Sequence, residues 1–212
     1  MQMNFFFQIF ILIFSVIIHE ISHGFMALFW GDKTAEYEGR LTLNPIKHID
    51  LFGSIILPFF LYLINAGFMI GWAKPVPYNP YNLRNRKIAE PMIAFAGPLS
   101  NIFVALFFGM IVRILIYFKL SSGLPIEASS LVTIFVFVVW INIGLAIFNL
   151  IPIPPLDGSK ILFSFMPTKG KFAFSSFART YGFILIIIVV AFLPNIITPA
   201  MVYLTSLITG LS

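Results

Sequence analysis

Long apolar runs separated by short polar connectors dominate the chain. Four of them, residues 5–30, 92–118, 131–150 and 181–204, are almost free of charge. Each exceeds the stretch of about 20 residues that crosses roughly 30 Å of hydrocarbon at ~1.5 Å per residue. The pattern predicts transmembrane helices over all four. A fifth run, residues 51–70, is equally apolar but carries Gly53, Pro58 and Asn65-Ala66-Gly67. It either crosses or enters and returns on one side. The expected fold class is an all-α integral membrane protein with four to five transmembrane helices and a re-entrant segment at 51–70.

The connectors differ in kind. Residues 36–43 partly alternate before stopping at Asn44-Pro45, which predicts a short β-like connector. Residues 72–80 hold Pro75, Pro77 and Pro80, so an extended loop is expected there. Residues 160–179 are basic and rich in Phe, as in a segment lying along the membrane interface. No internal repeat is visible, and one membrane domain accounts for the chain.

Composition agrees. Of 212 residues, 59% are hydrophobic and 10% charged, with a mean hydropathy of +0.99. A soluble domain cannot bury that much apolar surface. There is no cysteine, so neither disulfides nor a thiolate metal site are available. The net charge of +5 is read as lysines and arginines facing anionic lipid and fixing topology; no nucleic-acid partner is expected. No Lys or Arg precedes the first apolar run and no small-residue cleavage pattern follows it, so this run is expected to stay as a span.

One polar cluster stands out against this background. His19-Glu20-Ile21-Ser22-His23 lies inside the first apolar run, where an unpaired charge costs roughly 2.5 kcal/mol or more. Residues four apart share a helix face, so His19 and His23 can ligate one zinc. Glu20 then points about 100° aside, toward a water on that metal. Such a metal needs a third protein ligand and an open position. The remaining histidine is His48, and the other carboxylates are Asp32, Glu36, Glu38, Asp50, Glu90, Glu127 and Asp157. Most sit in connectors, as solvated loop charges or helix caps. Asp157 differs: it follows Pro152, Pro154 and Pro155, which cannot continue a helix. Broken helices at membrane depth occur where they are buried in protein or line a wet cavity. Asp157 is thus either the missing ligand or the cap of a helix restarting at Gly158.

The pairing of His19-Glu20-Ile21-Ser22-His23 with Asn149…Pro152…Leu156-Asp157-Gly158 resembles the site-2 protease family of intramembrane zinc metalloproteases. Ala96-Gly97-Pro98-Leu99-Ser100-Asn101 matches a further family pattern. Gly39-Arg40-Leu41-Thr42-Leu43-Asn44-Pro45 and Gly71-Trp72-Ala73-Lys74-Pro75-Val76-Pro77 resemble its compact bacterial and archaeal branch. The similarity covers roughly residues 17–160. It implies a single membrane-embedded peptidase domain over 1–212, without PDZ or CBS modules, in the cell membrane as a multi-pass protein. It further implies a zinc cofactor held by His19, His23 and Asp157, with Glu20 as catalytic base. The substrates would be transmembrane proteins, cut in or near their spans. Asn149 and Asn101 are candidate substrate-binding residues by position, or polar contacts between packed helices. Ser15 and Ser22 are expected to bond their own helix. Residues 38–43 and 75–80 either pair with an unwound substrate as an added strand or are plain connectors. Two rival readings are a metal-ion or proton transporter and a catalytically silent relative that binds membrane partners.

Bringing the two motifs to one depth constrains topology. The helix carrying His19 and His23 should run parallel to the one before Asp157, with an odd number of crossings between them. If 51–70 crosses, eight basic residues face five; if it returns, eleven face two. The second arrangement obeys the positive-inside tendency better, so an outside N-terminus and a cytoplasmic-side active site are expected.

Overall fold

The computed structural model describes residues 5–64, 71–122, 130–167 and 197–211, together with single positions 170, 174, 180, 181, 185 and 195. The described residues form helices and loops, with no strand among them. Three helices are long and apolar enough to cross a membrane: α1 (Phe5–Phe29), α4 (Arg86–Ser122) and α5 (Ser130–Leu150). These match three of the four expected spans. The described part of the fourth run is α7 (Ile197–Thr209), which is shorter; most of residues 181–196, like most of 168–179, lies outside the described residues.

Between α1 and α4 the chain makes α2 (Thr34–Tyr37), a π-helical turn at Leu51–Ile56 and α3 (Leu57–Leu63). The β-like connector expected at 36–43 is therefore corrected. Asp32 accepts hydrogen bonds from the backbone N–H and hydroxyl of Thr34, which starts a helical turn instead. Gly39, at φ +60°, ends that turn, and the Arg40 N–H returns to Ala35 O. The alternation was real, but the local hydrogen bonds of Asp32 and the left-handed Gly39 overrode it. The loop before α4 is extended, as its prolines require, and holds no helical or strand structure over 71–79.

The helix Leu51–Leu63 covers only about 20 Å. The chain after it comes back to where it began: Trp72 N–H donates to Gly53 O, Lys74 N–H to His48 O, and the Ser54 hydroxyl to Trp72 O.

α4 is the central helix. Going up α1, Ser15, His19 and His23 meet positions 101, 97 and 93 of α4 in falling order. Asn101 meets Asn142 and Phe108 meets Phe135 on α5. Both neighbours are thus antiparallel to α4, and α1 runs parallel to α5. Apolar packing of Leu12 and Val16 with Ile141 ties α1 to α5. Ala105, Val139, Ile143, Ile197 and Met201 tie α4, α5 and α7 together. At the far end of α4, Arg113 donates to the Leu207 and Ile208 carbonyls near the C-terminus of α7, where a cation satisfies free carbonyls and opposes the helix dipole. The outer faces carry Phe6, Phe10, Phe25, Phe103, Phe107 and Met110, all exposed. Within the long helices Ser15, His19, His23, Asn101 and Asn142 are buried, as hydrocarbon demands.

Candidate metal centre

α5 stops at Leu150, and after the proline-rich break α6 (Asp157–Phe165) begins. Its N-cap is Leu156, and no side chain caps it. Asp157 is therefore not spent as a cap. Its buried carboxylate turns toward α1, where Oδ2 lies 3.1 Å from His19 Nε2 and 3.1 Å from His23 Nε2. The two Nε2 atoms are themselves 3.1 Å apart. All three side chains are buried.

The surrounding hydrogen bonds fix which atoms carry protons. Val138 O, a pure acceptor, takes one bond from Asn142 Nδ2 at 2.9 Å. Asn142 Oδ1 therefore faces Asn101, whose Nδ2 donates to it at 2.8 Å and to Ser15 O at 3.3 Å. Asn101 Oδ1 then faces His19, and must accept from Nδ1–H at 2.6 Å. His23 Nδ1–H likewise donates to the carbonyl of Ile93 at 2.6 Å. With Nδ1–H engaged on each ring, both Nε2 atoms are aimed at each other and at Asp157 Oδ2, and each offers a lone pair when its ring is neutral. Three buried acceptors in mutual contact repel one another unless a cation joins them.

Metal chemistry fits this triangle. Zinc–nitrogen and zinc–oxygen bonds of about 2.0–2.1 Å in a tetrahedron place neighbouring ligand atoms about 3.3 Å apart. The trio matches such a face and leaves a fourth position open. Lys160 Nζ bonds Asp157 Oδ1 at 3.0 Å, so a single carboxylate oxygen faces the histidines. Two imidazoles and one carboxylate, with no thiolate, suit zinc. Space for the metal depends on Gly97: a Cβ there would lie 2.5 Å from His23 Nε2 and 2.6 Å from His19 Nε2.

The other expected residues are placed as follows. Glu20 is half-buried, and its Oε2 accepts the Val76 N–H at 2.9 Å. Asn101 is fully buried with its amide engaged by His19, Ser15 and Asn142. Asn149 donates to Leu145 O on its own helix, and no bond joins it to the trio. Ser22 bonds Ile18 O, as expected; Ser15 Oγ instead accepts from Asn142 Nδ2. His48 lies buried in the connector with its Nε2–H on Thr42 O, and burial pushes its imidazole below the usual range. Asp50 caps the π-turn through Gly53 N–H, and Glu90 pairs with Arg86. Asn142 is the residue that sequence reasoning passed over. A carboxamide at the middle of α5, amid apolar residues, was its available signal.

Comparison with known proteins agrees with this geometry. The family model described as peptidase family M50 matches residues 7–192. The chain is 38% identical over 177 residues to the provisionally named zinc metalloprotease YwhC of Bacillus subtilis, covering 84% of this chain and 76% of that one. It is 32% identical over 149 residues to the similarly named MJ0611 of Methanocaldococcus jannaschii, covering 69% and 63%. Rip2 of Mycolicibacterium smegmatis, of the same naming, is 27% identical over 190 residues, covering 88% and 65%. No solved structure matches. With a match over most of its length and a His-His-Asp group fit for zinc, the chain belongs to peptidase family M50, the site-2 protease family of zinc metalloproteases.

Proposed function

We propose that the protein is an intramembrane zinc metalloprotease of the cell membrane that hydrolyses peptide bonds in or near the transmembrane segments of other proteins. The convergence of His19 Nε2, His23 Nε2 and Asp157 Oδ2 inside a helical bundle carries this reading. His19, His23 and Asp157 would hold the zinc, which would act as a Lewis acid toward water and the scissile carbonyl. Glu20 takes a proton from the attacking water and returns it to the leaving amine. Asn101 and the Ile93 carbonyl hold the imidazoles in the tautomer that presents Nε2. Lys160 keeps Asp157 to one donor oxygen. Asn149, at the lip of the break, remains the candidate substrate contact.

Residues 51–70 enter and return on one side in this reading. The bonds from Trp72 and Lys74 back to Gly53 and His48 support it, as does the charge distribution. Glu20→Gln tests the chemistry. Both proteins are purified in detergent with zinc and offered single-span model substrates. Cleavage by wild type alone, at equal metal content, is expected. Zinc binding without cleavage by either protein would contradict the assignment.

A further inference from the structure

The extended loop ahead of α4 makes one contact that no connector needs. Pro75 and Pro77 lack N–H groups, so Val76 owns the one backbone donor in that stretch. It gives this donor to Glu20 Oε2 at 2.9 Å. An amide on a carboxylate is a charge-assisted bond that fixes orientation as well as distance. The arrangement is tethered on both sides of Val76. Arg40, buried, donates through Nη2 to Lys74 O at 2.7 Å and Pro75 O at 3.1 Å, the two carbonyls just before it. Lys74 N–H is held by His48 O at 2.7 Å, and Asn79 N–H by Asp32 at 2.8 Å. The Val76 side chain is buried against Gly24, which lies four residues after Glu20 and therefore on the same face of α1. A Cβ on Gly24 would stand 2.8 Å from Val76 Cγ1 and 2.5 Å from Leu41 Cδ2. The helix has a gap where the loop leans in.

We infer that residues 74–77 form a strap, pinned by Arg40, whose Val76 amide positions the Glu20 carboxylate for catalysis. The inference rests on the proteolytic reading above. A free glutamate samples several rotamers. Held by one oxygen, Glu20 keeps the other available in a fixed place. Arg40 and Val76 are positioning residues: neither is a metal ligand, and both act through Glu20.

The test uses full-length protein in proteoliposomes, zinc-loaded, with a single-span substrate, reading kcat, KM and zinc content. Val76→Pro removes the donor, whereas Val76→Ala trims the side chain and keeps it. The expected result is a kcat lower by about tenfold to a hundredfold for Val76→Pro, with KM and zinc unchanged, while Val76→Ala, which keeps the N–H but loses packing on Gly24, falls by much less. Arg40→Ala should lower kcat in the same way and Arg40→Lys should restore most of it. Cobalt-substituted Val76→Pro should keep the wild-type visible spectrum, since the ligand set is untouched. A zinc-loaded Val76→Pro with wild-type kcat, or one no worse than Val76→Ala, would overturn the strap. If Val76→Pro fails to load zinc, the Arg40 pair decides: wild-type kcat in zinc-loaded Arg40→Ala overturns it, and loss rescued by lysine supports it. An inactive wild type withdraws the proteolytic reading and this inference together; an active wild type with indifferent variants sinks the strap alone.

Discussion

Asn101 shows how a buried amide shapes a metal site it never touches. Its carbonyl oxygen holds His19 Nδ1–H, so Nε2 is free to ligate, and its amide group is held in turn by α1 and α5. Partners of metal-bound histidines are worth about 10–100-fold in metal affinity. Asn101→Ala should weaken zinc binding by that factor, measured by competition with a chromophoric chelator. Gly97→Ala makes a sharper case. The added methyl enters the space between the two Nε2 atoms, so zinc stoichiometry should fall far below that of wild type even where the helices still pack. At this scale much was legible. The spacing of His19, Glu20 and His23 announced itself, and the prolines before Asp157 marked it out. The roles of Asn101 and Asn142 were not legible, because each depends on a neighbour from another helix. Arg40 was equally hidden: its partners are carbonyls delivered from more than thirty positions away.

Among the elements, α4 aligns the site by running antiparallel to both α1 and α5. The parallel pairing of α1 with α5 follows from that, and it was inferable from the need to bring two motifs to one depth. The turn at 36–43 was not inferable from alternation, because the bonds from Thr34 to Asp32 and the left-handed Gly39 decide it locally. Asp32 also holds the chain just beyond the strap, through Asn79 N–H and Asn82 Nδ2. Burial alone would raise its carboxyl, but the bonds from Thr34, Asn82 and Asn79 outweigh burial and hold it below the ordinary 3.8. A depressed carboxylate stabilises the fold above its unfolded value, and that stability disappears as pH falls through the folded one. Thermal melting in detergent should therefore show wild type losing more stability than Asp32→Asn between pH 6 and strongly acid pH. At neutral pH, Asp32→Ala should cost about 2–3 kcal/mol, the scale of charged hydrogen bonds left unmade.

Among the described residues, the long helices bury apolar clusters together with a few polar side chains and turn large apolar side chains outward. Phenylalanines coat the outer faces of α1 and α4, and the buried polar side chains of the three long helices, Ser15, His19, His23, Asn101 and Asn142, gather at the metal centre and its amide supports. Topology is open to direct measurement, because the chain has no cysteine of its own. Single cysteines at positions 33, 74 and 84 should label from the same side of sealed vesicles; labelling of 74 and 84 from the side opposite 33 would show that residues 51–70 cross. The central claim is hydrolysis inside the membrane by this zinc site. Its most direct measurement is mass spectrometry of a single-span substrate incubated with the zinc-loaded protein in proteoliposomes in 18O-labelled water. The account predicts one 18O in a new carboxyl terminus within or beside the substrate's apolar span, absent with Glu20→Gln. An unlabelled substrate that stays intact, or a cut confined to its distant soluble region, would contradict it.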